Sequence, residues 1–134
     1  MTNGTERLRF DYAKITKQSE TESLVEVGLT FAHRPIQKSI RAGQDPMEQL
    51  RAIANVTLEA IKEAIENRFD CRVADLDHVY ALGKNLIAVL IDIDFESKQI
   101  QVFGSCQIIS SEADATAKAA LNATNRFVEL AMRG

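Results

Sequence analysis

Three groups of side chains in this 134-residue chain could do chemistry. The first is a set of acids, Asp75, Asp77, Asp92, Asp94 and Glu96, with His78 close in sequence, which could hold a metal or supply a pair of acid–base carboxylates. Asp92 and Asp94 alternate with apolar residues on one strand, the pattern of a solvated sheet face, and no Cys or His stands at metal-ligand spacing. The second is Cys106, which as a nucleophile would need His33 or His78 as its base. Nothing in the spacing brings these groups together, and a small cysteine buried on the last strand is the expectation. Phosphate-cradling glycine loops, Ser-His-Asp signatures and nucleotide fingerprints are absent.

The third group surrounds two helix starts. Gly43, Gln44 and Asp45 precede Pro46, and Ser110, Ser111 and Glu112 open the last apolar-periodic segment. Free amides at a helix start can hold a carboxylate, while side chains from the facing loop hold an ammonium. These six residues are the candidate ligand site. The alternative is structural: Asp45 and Ser111 cap helices, and Gly43 supplies a loop conformation.

The elements that must position these residues follow from periodicity. Val25, Val27, Leu29 and Phe31 alternate with other residues as a half-buried strand does, a turn follows at His33-Arg34-Pro35, and Ile36, Lys38 and Ile40 return. Asp45-Pro46-Met47-Glu48 reads as a cap, a proline at the first helical position and a capping box, opening a helix to about Asn67 with one apolar stripe. Val89, Ile91, Ile93, Phe95 and Ile100 repeat the first hairpin at an offset of 64 residues, and Ser111 and Asp114 repeat Asp45 and Glu48 at 66. A further strand precedes each hairpin, Leu8 to Ile15 and Arg72 to Ala81, with Asp11-Tyr12 and Asp77-His78 again 66 apart. The expectation is an α+β fold: one domain over 1–134 made of tandem pseudo-twofold βββα units, about 7–68 and 71–133, with sheet faces covered by two helices. The second middle strand is apolar on both faces, through Ala88 and Leu90, so a homodimer is expected.

Composition bounds the function. With 46% hydrophobic and 26% charged residues the chain suits one ordinary domain, too short for a (β/α)8 barrel of about 250 residues. Sixteen basic residues against nineteen acidic ones give a net charge of −3 and no global footprint for nucleic acid. The longest apolar run, Leu86 to Ile91, is far shorter than the ~20 residues of a membrane helix, and Met1 to Arg7 lack a secretory pattern. Cys71 and Cys106 lie far apart, as free thiols in a reducing compartment would. A cytoplasmic protein without membrane or nucleic-acid partners is expected.

The order of elements, together with two stretches, resembles the C-terminal regulatory and dimerisation domain of α-isopropylmalate synthase and citramalate synthase. One stretch is Arg41-Ala42-Gly43-Gln44-Asp45-Pro46-Met47-Glu48; the other is Gln101 to Ser105, continued by Ser110-Ser111, Ala115 to Ala119 and Leu121 to Arg126. The likeness runs from about Leu8 to Met132. Asp45 stands where the family's loop has a second glycine, and Ser110 to Asp114 replace its Asp-Ile-Ile-Glu-type run. The resemblance implies a non-enzymatic regulatory module, without the synthase barrel and without a cofactor. It would bind a branched-chain amino acid or 2-keto acid between the repeats and dimerise. A dimerising interaction protein with no ligand, its protein partner unknown, is the other reading.

Overall fold

The computed structural model describes residues 8–133, so the Met1 to Arg7 segment read above for a secretory pattern lies outside the described residues. Its strands are β1 (Arg9–Lys17), β2 (Ser23–Phe31), β3 (Arg34–Ala42), β4 (Asp70–Ala81), β5 (Lys84–Phe95) and β6 (Lys98–Gln107). Its helices are α1 (Pro46–Ala64) and α2 (Glu112–Arg133). The fold is α+β: two three-stranded antiparallel sheets, ordered β1-β2-β3 and β4-β5-β6, each followed in the chain by a helix.

The register supports the repeat at the hairpins. Leu29 lies opposite Ile36, and Ile93 opposite Ile100. Both connections are two-residue turns with positive φ, Ala32 (54°) and His33 (65°) in one and Glu96 (52°) and Ser97 (65°) in the other. These primed turns match the right-handed twist of the strands, so β3 already starts at Arg34 and Pro35 sits inside an edge strand. The first strands align differently from the sequence expectation. Tyr12 faces Gly28, whereas His78 faces Ile87; the counterpart of Gly28 in the second unit is Asp92, which faces Arg72. Bulges at different places, between Phe10 and Tyr12 and between Val73 and Asp75, break the apparent match of Asp11-Tyr12 with Asp77-His78.

Each helix serves both sheets. α1 packs on β2 and β3 of its own unit and on β4 of the other; α2 packs on β5, β6 and β1. The helices are therefore a middle layer between two sheets. Sequence periodicity gave each helix one apolar stripe, but α1 buries Leu50, Ile53, Ala54, Val56, Thr57 and Leu58 and exposes only a narrow line through Arg51, Asn55 and Glu59. Alanine carries the difference. Ala52, Ala60 and Ala64 in α1, and Ala115, Ala117 and Ala119 in α2, are small enough for a second sheet to close over them. The buried hydroxyls of Thr57 and Thr124 donate to Ile53 O and Ala120 O, so neither leaves an unpaired group in this layer.

The two helices run the same way, side by side. At their ends Arg68 Nη1 donates to Ala131 O at 2.9 Å, and Phe69, Phe95 and Phe127 close the core edge to face, with centroids 6.1–6.5 Å apart. At their starts they flank a common cleft. One hydrophobic core joins both units, and among the described residues no helix is long and apolar enough to cross a membrane.

Candidate functional site

The cleft encloses about 320 Å³ where β1 meets both helix starts. Ala13, Lys14 and Ile15 come from β1, Pro46, Gln49 and Leu50 from the first turn of α1, and Ser111, Glu112 and Ala113 from the start of α2. This volume is at the small end for ligand pockets, and its lining mixes apolar side chains with a few polar ones.

The start of α2 is capped by Ser111 and carries two acids, Glu112 and Asp114, in its first turn. Ser111 Oγ accepts the Asp114 amide at 3.0 Å, and Ala115 N donates to Ser111 O. The two amides between them, of Glu112 and Ala113, belong to the first turn, whose N–H groups have no partner within a helix. Lys14 lines the cleft between Ala13 and Ile15 of β1, but its ammonium lies 4.0 Å from Glu26 and 5.4 Å from the centre of the Tyr12 ring, on the outer face of the sheet. The Glu112 carboxylate is 4.0 Å from His78 Nδ1.

The start of α1 is closed by its own residues. Asp45 Oδ2 accepts the Glu48 amide at 2.9 Å, and Pro46 has no N–H to give. Glu48 reaches back beyond the cap: its Oε1 accepts the Gly43 amide at 3.1 Å. Gly43 needs no left-handed conformation, contrary to the loop expectation; the Glu48 carboxylate lies over it, so a Cβ there would push that side chain aside. Gln44 is a brace, donating to Ser19 O and Glu22 O while accepting from buried Ser23 and from Gln49.

Of the six residues singled out in sequence, Ser111 and Glu112 line the cleft, Asp45 caps the neighbouring helix, and Ser110 donates to Asp114. Gly43 lines a separate groove of about 490 Å³ with Arg41, Glu48 and Arg51. Lys14, Gln49 and Ile15 were missed by sequence reasoning. Their signal was available only through the contact of β1 with α2, some hundred residues away in the chain.

The other chemical groups are held apart or braced. Cys106 and His78 share the inner face of their sheet but lie on either side of Ile87, two strand spacings or roughly 10 Å apart. Cys106 is half-buried where full burial was expected, because β6 is an edge strand; Cys71 is buried, and desolvation pushes its thiol up to about 12. Asp92 and Asp94 share Arg72, at 3.7 and 3.3 Å, and Gln101 donates to Asp92. No cluster of metal-ligating side chains occurs among the described residues. No family model matches the chain, and no curated protein matches its sequence.

Proposed function

We propose that this chain is a non-enzymatic, dimerising regulatory module that binds a small amino acid or 2-keto acid in the cleft between its helix starts. The observation that carries the reading is the convergence of both helix starts and β1 on one cleft, where the first turn of α2, an acid and apolar side chains come together. A ligand carboxylate would meet the first amides of α2, an ammonium would meet Glu112, and a branched side chain would rest on Ile15 and Leu50. The resemblance to the synthase regulatory domain supports the same ligand class, and the proposed setting is cytoplasmic. Regulation would follow if occupancy shifts the subunit equilibrium, since a ligand acts only through its differential affinity for two states.

Thermal melting with leucine, isoleucine, valine and their 2-keto acids tests this. A true ligand at a hundred times its dissociation constant adds about 2.7 kcal/mol, a rise of several degrees for a domain of this size. Glu112→Gln should abolish the response to amino acids and spare that to keto acids. No shift with any of the six at 10 mM overturns the ligand reading. The ligand-free interaction module would then stand. Exposed Tyr80, Leu82, Phe103 and Ile109, from 66% to 98% accessible, favour that second reading.

A further inference from the structure

The four sheet edges are not equivalent. Edge strands invite pairing with other chains unless charge, proline or a bulge prevents it. β3 carries Arg34, Pro35, Lys38 and Arg41; β1 and β4 carry several charges each and a bulge. β6 has no charge or proline from Gln99 to Gln107, and its register with β5 is unbroken. It also bears Phe103, 66% exposed on the outer sheet face.

Beside this edge runs the outward face of α2. Stepping inward by four residues from Asp114 gives Lys118 and Asn122, and from Arg133 gives Glu129 and Asn125. Turned end for end, the face meets its own opposite: Asp114 against Arg133, Lys118 against Glu129, Asn122 against Asn125. Arg126, one step to the side, has no counterpart in this pairing. These two charge pairs, though not Arg126, make the face complementary to an antiparallel copy of itself.

Strand and helix share a midpoint. Asn122 Nδ2 donates to Ser105 O at 2.9 Å, and Gly104 sits so close to α2 that a Cβ would lie 2.6 Å from Ala123 N. The centre of the helix pattern, between Asn122 and Asn125, therefore falls within about one residue of Phe103 along β6, at ~1.5 Å per helical and ~3.3 Å per strand residue. One twofold axis can serve both elements.

Resting on the dimer reading above, we infer that a second copy of this chain docks here, β6 pairing antiparallel with β6 and α2 packing antiparallel on α2. The two sheets join into one of six strands, and the exposed Phe103 side chains come together across the axis. Both elements are about 33 Å long in adjacent layers, giving a patch on the order of 700 Å² per subunit, close to the ~800 Å² of a standard interface.

Sedimentation equilibrium on the full chain tests the face by charge swap. Lys118→Glu and Glu129→Lys should each weaken the dimer about tenfold or more, because every substitution creates two like-charge contacts. The double variant should return to within about threefold of the unaltered chain. Phe103→Lys should also dissociate it, with circular dichroism confirming that each variant is folded. A dimer indifferent to these changes, or a double variant no better than the singles, overturns this face while leaving dimerisation standing. A chain monomeric at 100 μM overturns both.

Discussion

At the scale of single residues, Gly104 is a glycine whose neighbours cannot move aside. A Cβ there would collide with Ala119 O and come within 2.7 Å of Ala123 Cβ, and two of its three nearest atoms are backbone that cannot rotate away. Gly104→Ala should cost about 1–3 kcal/mol and lower the melting temperature by several degrees, read by calorimetry. An unchanged melting point would mean that β6 does not touch α2 this closely. Gly28 differs, because its neighbour is the Tyr12 ring, the movable end of a side chain held by Glu26 and Gln37. In sequence the two glycines look alike. Their difference depends on what lies across the next layer, which local pattern does not contain.

At the scale of elements, the primed turns carry a cost that substitution can relieve. Ala32 and His33 both hold left-handed φ, a conformation disfavoured for residues with a Cβ by about 1 kcal/mol each. Ala32→Asn combined with His33→Gly should stabilise the protein by roughly 1 kcal/mol, since Asn-Gly is the preferred pair for this turn. Loss of stability on chemical denaturation would contradict the assigned geometry. Alternation of Val25 to Phe31 and the Asp45-Pro46 start made the hairpins and helix caps legible from sequence alone. The first strands were harder: their bulges shift the period between Phe10 and Tyr12 and between Val73 and Asp75, so spacing paired the wrong residues. The second cover on each helix was illegible too, because alanine does not announce burial on the hydropathy scale.

At the scale of the molecule, ion pairs set the response to acid. Lys38 at 2.6 Å, with Arg34 beyond it, holds Glu63 below its ordinary 4.5, and a hydrogen bond from Tyr12 does the same for Glu26. Lys62, at 3.3 Å, holds Asp70 below 3.8. Each of these carboxylates binds its proton less readily folded than unfolded. Their contribution is therefore complete above the ordinary values and fades as the pH falls through the lowered ones. Melting temperature should drop from about pH 4.5 downward, and Glu63→Gln with Asp70→Asn should flatten that part of the curve. An acid limb unchanged by the pair of substitutions would assign the loss to other groups.

The crossing of helices between sheets also bears on how the protein is made. β1 is synthesised about a hundred residues before α2, yet it packs against it; Phe10 waits for Lys118, whose ammonium lies 5.4 Å from its ring centroid. Neither sheet has the cover described here until α2 has left the ribosome. Contacts this distant along a chain slow folding and leave strand edges open meanwhile. β1 stays an edge strand throughout, and its charges and bulge blunt that edge during the interval as they do in the folded chain.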